Sequence, residues 1–130
     1  MTEIWPKNGY ATAVASIAAG ATDTTAGSVI EVGEQEEVLV QLKFTGHAAG
    51  SAGNISFYFA TSIDGASYST AGTALVAPLN ANNAVVSEPF VIHLGKMVRY
   101  LKFIKIVNGD AAQQVDTLQA VINGVPYPAR

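Results

Sequence analysis

The sequence predicts an all-β fold, a single-domain β-sandwich that is jelly-roll-like and has about eight strands. Three observations carry this prediction. Residues 37–45 alternate between apolar and polar side chains, which places on one face Val38, Val40, Leu42 and Phe44. The alternation recurs in residues 54–61, and clusters of Gly, Asn or Asp separate such runs at spacings of about a dozen residues. No segment keeps a helical period, so no helix longer than about two turns is expected.

The first half of the chain contains four predicted strands. Residues 1–10 are interpreted as an N-terminal arm, because the Trp5-Pro6 pair interrupts regular structure. The Asp64-Gly65 pair predicts a tight hairpin turn, since both residue types tolerate positive φ angles. Between these signals, strands are expected at 10–18, 28–32, 37–45 and 54–61, with small-residue loops at 19–27 and 46–53.

The second half continues the same pattern, with strands expected at 74–79, 85–93, 98–107 and 115–123. The inward face of the last strand is expected to consist of Leu118, Ala120 and Ile122. Pro89 lacks an N–H for ladder pairing, so it marks an edge strand or a bulge. The Asn-Gly-Asp run that begins at Asn108 predicts a turn. Residues 125–130 contain two prolines and are interpreted as an extended C-terminal tail, which leaves 11–124 as the sandwich domain.

Composition and charge exclude several functional classes. The 130 residues contain no cysteine, which rules out a disulfide scaffold, a thiolate metal site and a cysteine nucleophile. A net charge of −3 argues against nucleic-acid binding, which needs a clustered basic face. Charged residues make up 13% of the chain and hydrophobic residues 49%. The charged share is about half of the usual value, so we expect part of the surface to be apolar. We expect this surface to be covered by contacts between copies of the chain in a homotrimer.

The sequence contains no targeting signal that we recognise. Met1 is followed by neither a basic region nor an apolar stretch. The apolar residues 11–21 are few and are interrupted by Thr12, Ser16 and Gly20. We therefore expect no signal peptide, no contact with a membrane, and synthesis in the cytoplasm.

Side chains suited to metal binding or catalysis are sparse. The two histidines, His47 and His93, lack further ligands at readable spacing, so exposed or capped histidines are expected. An acidic cluster surrounds Gly33 and consists of Glu31, Glu34, Glu36 and Glu37. It would suit a calcium ion or the carboxylate pair of a glycoside hydrolase. A charged turn between two strands explains it more simply, because no calcium-loop motif is present. We expect no cofactor, no metal and no catalysis.

A basic cluster of opposite sign consists of Lys96, Arg99, Lys102 and Lys105. Strand alternation would place Lys96 and Lys102 on one face and the other two on the opposite face. No single basic stripe is therefore predicted, and the tracking of phosphates is not expected. Two interpretations remain: solvated charges on an edge strand, or contacts with the acidic 31–37 turn of a neighbouring subunit.

One stretch of the chain resembles a known protein family. Residues 55–68, with Ser-Ile-Asp-Gly at the turn, resemble the strand, Ser-x-Asp-Gly turn and aromatic hairpin of small virion proteins of tailed bacteriophages. Residues 98–103, followed by Asn108-Gly109, are similar to the penultimate strand and turn of those proteins. The resemblance covers residues 28–124 and implies a β-sandwich or jelly-roll protein of the virion that decorates or cements the capsid. It carries over no binding residue.

These features favour a non-enzymatic capsid cement or decoration subunit, whose partners are further copies of itself and the major capsid protein. The N-terminal arm is expected to order only on contact with a neighbour or the shell. The alternative is a carbohydrate-binding sandwich, on a phage tail or in host-surface adhesion. It would need an exposed aromatic platform, such as Tyr68 beside Asn80, Asn82 and Asn83. The candidate partner contacts are Trp5, Glu34, Glu36, Arg99, Lys102 and Tyr127.

Overall fold

The computed structural model describes residues 10–25, 27, 29–33, 35–46, 53–79, 84–87, 89–95 and 97–126. All regular structure in these residues is β, and no helix occurs in them. The strands are β1 (Tyr10–Ile17), β2 (Thr22–Asp23), β3 (Ile30–Glu31), β4 (Gln35–Thr45), β5 (Asn54–Ser62), β6 (Thr73–Pro78), β7 (Ala84–Val86), β8 (Phe90–His93), β9 (Tyr100–Asn108) and β10 (Val115–Pro126). The predicted all-β sandwich is confirmed.

Two antiparallel sheets build the sandwich. In sheet A the order is β1-β10-β4, followed by β7 and β8, which both pair with β4. In sheet B the order is β6-β5-β9, followed by β2 and β3, which both pair with β9. If each pair of short strands counts as one interrupted edge strand, each sheet has four positions. The chain changes sheets at every connection between these positions except the β5–β6 hairpin, which is the connectivity of a jelly roll.

The core lies between the inner faces of the two sheets. The residues that alternation predicted to face inward are all buried, namely Val38, Val40, Leu42, Phe44, Ile55, Phe57, Phe59, Leu118, Ala120 and Ile122. Phe103 of β9 meets two of them edge-on, with its ring centroid 6.2 Å from that of Phe57 and 6.4 Å from that of Phe59. The period-2 pattern therefore identified the buried face of three strands correctly.

The edge strands that pair with β4 and β9 are shorter and less continuous than the sequence predicted. Residues 19–27, expected to be a loop, contain β2, whose two residues pair with β9. The single strand expected at 85–93 is interrupted between β7 and β8. At the break, the Ser87 N–H donates to the Leu42 carbonyl at 2.8 Å and the Ser87 hydroxyl accepts the Leu42 N–H at 2.9 Å. Pro89, which was expected to mark an edge strand or a bulge, thus lies in the interruption of an edge strand.

The predicted turn at Asp64-Gly65 has the right location and the wrong size. β5 and β6 form an antiparallel hairpin, and Gly65 has a φ of +76°. Residues 63–72 connect the two strands, so the connection has ten residues and is longer than a tight hairpin turn. At the chain ends, β1 begins at Tyr10 and β10 continues to Pro126, whereas the rest of the predicted arm and tail lies outside the described residues.

A β-bulge in the middle of sheet B decides which side chains of β9 face outward. Lys105 pairs with Tyr58 of β5, whereas Phe103 pairs with the very next residue of β5. Ile104 is therefore an extra residue, and a single extra residue reverses the alternation beyond it. The burial pattern shows this directly, because Phe103 and Ile106 are both buried although three positions separate them.

Asn108, at the end of β9, ties three parts of the chain together. Its side chain is buried, with the residue 1% exposed. The amide nitrogen donates to the carbonyls of Ile17 and Ala18 at 3.2 Å each and to that of Gln113 at 3.0 Å. The amide oxygen accepts the Asp110 N–H at 2.9 Å. A buried amide that is bonded at both ends holds the end of β1 against the β9–β10 loop.

Asn108→Asp is expected to destabilise the protein by about 3 kcal/mol at neutral pH. The carboxylate cannot donate to the three carbonyls, and it places a buried negative charge against them. The loss should shrink toward acidic pH, where the new carboxyl group is protonated. Urea unfolding measures the effect, and Asn123→Asp provides the same chemical change at an exposed site of β10. That control should change stability by less than about 0.5 kcal/mol; equal losses would contradict the assignment.

Two glycines test the packing around the bulge. Gly72 has a φ of +67°, and a Cβ there would lie 2.8 Å from Ile104 Cδ1 and 2.9 Å from the Phe59 carbonyl oxygen. Gly20 has nearly the same φ, +65°, and open space around it. Gly20→Ala should therefore cost only the backbone strain of about 1–2 kcal/mol. Gly72→Ala should cost about 1–3 kcal/mol more. Equal costs in thermal or urea unfolding would show that Ile104 does not pack against Gly72.

Candidate functional site

A pocket of about 370 Å³ on the outer face of sheet B is the candidate functional site. β9 forms its floor, and the β5–β6 loop and the segment after β2 form its walls. We call it the lysine–tyrosine pocket, and its lining residues are Thr24, Ala66, Tyr68, Ser69, Thr70, Lys102, Ile104 and Lys105. Its volume lies within the range of sites that bind small molecules.

Two cation–π contacts hold the lysines of this pocket. The Lys102 ammonium lies 4.4 Å from the centroid of the Tyr68 ring, and the Lys105 ammonium lies 4.6 Å from that of the Tyr58 ring. Such contacts attract a cation to the face of an aromatic ring and restrict the flexible lysine side chain. Among the residues that the structure describes, neither ammonium group forms an ion pair with a carboxylate.

The bulge at Ile104 brings the two lysines together. Strand alternation had placed Lys102 and Lys105 on opposite faces, and this prediction is wrong because the extra residue lies between them. β9 is not an outermost strand of sheet B, but its pairings with β2 and β3 cover residues 106–107 and 100–101 and leave the two lysines between them. The interpretation as solvated edge-strand charges therefore stays a prediction for this pair. Two adjacent cations form a local patch rather than a track for phosphates.

The loop that carries Tyr68 begins with a turn organised by Ser62. The Ser62 hydroxyl oxygen accepts the N–H of Asp64 at 3.2 Å and that of Gly65 at 3.0 Å. The same hydroxyl donates to the Asp64 carboxylate at 2.9 Å. Ser62 is buried and makes all these bonds locally, so its hydroxyl shapes the turn.

Asp64 completes the turn by capping the next residues. One carboxylate oxygen accepts the backbone N–H groups of Ala66 and Ser67, each at 2.8 Å, and the other accepts the Ser67 hydroxyl at 3.1 Å. These bonds favour the ionised form and hold the pKa of the Asp64 carboxyl far below its usual range, with the Ser67 amide the largest cause. The loop therefore enters the pocket wall from a fixed turn.

Tyr68 contributes its ring face to the pocket rather than its hydroxyl group. The phenolic oxygen is buried and has no hydrogen-bond partner among the described residues. Burial, followed by the negative charge of Asp64 and the neighbouring Tyr100, raises the pKa of Tyr68. The phenol is therefore neutral at physiological pH, and the ring acts on Lys102 through its π face.

The acidic cluster predicted around Gly33 is divided between the two sheets. Glu31 lies on β3 of sheet B, whereas Glu36 and Glu37 lie on β4 of sheet A. Glu37 bonds to the exposed His93 at 3.0 Å, which agrees with the expectation of an exposed or capped histidine. Within the described ranges, no three His, Asp or Glu side chains come together in a way that could hold a metal. Glu34 and His47 lie outside those ranges.

Arg99 lies against the acidic turn of its own chain. The Val32 N–H donates to the Arg99 carbonyl at 2.8 Å. The Arg99 guanidinium packs over Gly33, with Nη1 3.2 Å from the position that a Cβ on that glycine would take. Arg99 and the turn are thus neighbours within one chain, and contact with the turn of another subunit remains a prediction.

The outer face of sheet A carries a smaller groove of about 240 Å³. We call it the apolar groove, and its lining residues are Leu39, Val40, Gln41, Pro89, Val121, Ile122 and Asn123. Val91 of β8 pairs with Leu39 and is 47% exposed, and Val86 of β7 is 56% exposed. The interrupted edge of sheet A therefore presents aliphatic side chains to solvent.

Three of the six predicted partner contacts lie within the described residues, namely Glu36, Arg99 and Lys102. Lys102 lines the lysine–tyrosine pocket, Arg99 lies near Gly33, and Glu36 is exposed on β4, so the structure does not bring the three together. Outside the described residues lie Trp5, Glu34 and Tyr127, and also Asn80, Asn82 and Asn83. The sequence did not predict the convergence of Tyr58, Tyr68 and Lys105, because a bulge at an isoleucine leaves no local sequence signal.

No family model, curated protein or solved structure matches this chain. The described residues contain no helix that is long and apolar enough to cross a membrane. Function is therefore inferred from the fold and the chemistry of its surface.

Asp64→Asn is expected to reduce the pH dependence of stability. Because folding lowers the carboxyl pKa below its usual value of about 3.9, the ionised group stabilises the fold above about pH 5. That contribution is lost as the pH falls through the lowered pKa. Urea unfolding between neutral and acidic pH should thus show a smaller acid loss in the variant than in the wild type. Asp23→Asn is the control, because among the described residues Asp23 accepts a single N–H, that of Thr25; equal pH profiles for wild type and Asp64→Asn would contradict the prediction.

Proposed function

We propose that this chain is a non-enzymatic structural subunit of a tailed-phage virion that decorates or cements the capsid as a homotrimer. The observation that carries the proposal is a jelly-roll fold with an aliphatic, interrupted edge on one sheet. Jelly rolls recur in viral capsid proteins and in lectins. The resemblance of residues 55–68 to small virion proteins supports the first of these two classes.

The apolar groove provides the contact surface for this role. Val91 pairs with Leu39 of the groove and is 47% exposed, and charged residues make up 13% of the chain. Exposed aliphatic patches of this kind are typical of protein–protein contacts. In a cyclic trimer each copy covers the groove of the next, and the symmetry repeats the contact three times.

A free strand edge in sheet B offers a second contact. Among the described residues β6 pairs with β5 on one side only, and its Val76 is 46% exposed. A strand from the shell can extend the sheet here by backbone hydrogen bonds, which require no particular side chain. Such pairing suits a subunit that occupies many equivalent positions on a shell.

The described side chains give no support to a catalytic role. The Ser62 hydroxyl is engaged in the turn before Tyr68, and it lies in sheet B. His93 lies in sheet A and bonds to Glu37. A nucleophile and base must lie within hydrogen-bond reach of each other, and these two do not.

Sedimentation at micromolar concentration tests the trimer. We expect a mass of about 40 kDa, three times that of the 13.5 kDa chain. Val91→Lys should shift the mass toward one subunit, because a charge beside the apolar groove must be desolvated in the contact. Val76→Lys on the free edge of sheet B is the matched control and should leave the mass unchanged. A one-subunit mass for the wild type would contradict the trimer.

The location in the virion is tested in the bacterium that carries the gene. Phage particles induced from it and purified on a density gradient should contain the chain at a copy number comparable to that of the major capsid protein, as measured by quantitative mass spectrometry. Particles made without the gene should release DNA at a lower temperature. Absence of the chain from purified particles would overturn the proposal.

A further inference from the structure

We propose that the lysine–tyrosine pocket binds an acidic saccharide, through the carboxylate or sulfate groups that such sugars carry. The inference concerns the outer face of sheet B and is independent of the contact surface on sheet A. It holds whether or not the chain belongs to a capsid.

The first observation is that neither lysine of the pocket forms an ion pair among the described residues of a protein whose net charge is −3. The described lining of the pocket contains two lysines and no acidic residue. Each ammonium group is positioned by a tyrosine ring, Lys102 by Tyr68 and Lys105 by Tyr58. Because the tyrosine rings already restrict both lysine side chains, an anion that binds between them costs less side-chain entropy than it would with freely moving lysines. This smaller entropy loss favours binding.

The second observation is the set of hydroxyl groups beside the cations. Thr24, Ser69 and Thr70 line the pocket and are exposed. The Ser69 oxygen accepts the N–H groups of Ala71 and Gly72 at 3.2 and 3.3 Å, so its hydrogen is directed away from these bonds and can be donated. Charged groups together with several hydroxyls match a ligand that has both an acidic group and many hydroxyls of its own, which is the chemistry of an acidic sugar.

The third observation separates an acidic sugar from a neutral one. The usual aromatic platform for a neutral sugar is an open ring face. Here an ammonium group lies over each ring, at 4.4 Å from Tyr68 and 4.6 Å from Tyr58. A neutral sugar would have to displace a lysine in order to stack, whereas an acidic sugar contacts the lysines where they lie. Charge pairing rather than stacking therefore determines the specificity of this pocket.

Other anionic partners fit less well. Nucleic acid requires a row of cations along its backbone, and the pocket offers two. A carboxylate from the acidic turn of a neighbouring copy would need only the cations and would leave the three hydroxyls without a role. Both partners are outcomes that the experiment distinguishes.

Isothermal titration calorimetry of the whole chain at low salt tests the proposal. The probes are tetragalacturonate, a sulfated carrageenan tetrasaccharide, neutral maltotetraose and single-stranded DNA. We expect one or both acidic sugars to bind at least about tenfold more tightly than the neutral one. Their relative affinity identifies the preferred acidic group. Lys102→Gln and Lys105→Gln should each weaken binding about tenfold, since each removes a charge-assisted bond.

Lys43→Gln is the matched control, because Lys43 lies on the outer face of β4 in sheet A and its loss changes the net charge equally. It should leave the affinity unchanged. Tyr68→Leu should weaken binding by loosening Lys102, whereas Tyr68→Phe should bind like the wild type, because the ring and not the hydroxyl holds the lysine. Thermal melting of each variant verifies that it is folded.

Several results would overturn the proposal. In three of them the wild type binds neither acidic sugar, binds maltotetraose as tightly as the acidic sugars, or binds DNA more tightly than the acidic sugars. Likewise, Lys43→Gln would contradict the proposal by weakening binding as much as Lys102→Gln and Lys105→Gln do. A change of sedimentation mass in the Lys102→Gln variant would assign the lysines to a subunit contact instead. Failure of the trimer experiment does not affect these outcomes, because the apolar groove lies on sheet A. Failure of the virion experiment does not affect them either, because the binding measurements use the isolated chain.

Discussion

The register between β5 and β9 is the constraint on which the candidate site depends. These strands are the central pair of sheet B, and their inner residues Phe57 and Phe103 meet edge-on in the core. Between Phe103 and Lys105, β9 has one residue more than the facing stretch of β5. Ile104 is this extra residue, and because it is left unpaired, the aromatic side chains of both strands keep their contacts in the core. An unpaired residue in a central strand introduces a local kink. Because the alternation of side chains is reversed beyond this residue, Lys102 and Lys105 both lie on the outer face of sheet B.

The same constraint links the loop after β5 to the surface chemistry. Ile104 packs toward Gly72 at the end of the β5–β6 loop, while the Ser62 and Asp64 turn fixes the start of that loop. Tyr68 is held between these two anchors and lies under the Lys102 ammonium. The pocket is therefore shaped by backbone register and local hydrogen bonds, and its two charges stand on a rigid sheet rather than on a flexible loop.

The sequence predicted what depends on local periodicity. The inward faces of β4, β5 and β10 follow from alternation alone, and the edge position of the strand that contains Pro89 follows from its missing N–H. Features that depend on distant partners were missed. The bulge is set by packing against another strand, and Asn108 bonds to residues about 90 positions earlier in the chain. The hairpin loop was expected to be short because Asp-Gly is a tight-turn signal, but here Asp64 caps a longer loop.

The most direct test of this account is a nuclear Overhauser experiment on the lysine side chains. The ε-methylene protons of Lys102 should show contacts with the Tyr68 ring, and those of Lys105 with the Tyr58 ring, with both methylenes shifted upfield by the ring currents. This result requires the bulge at Ile104. If instead the ε-methylene protons of only one lysine show ring contacts and those of the other have the shift of a free side chain, the alternation is unbroken, and the shared cationic surface does not exist.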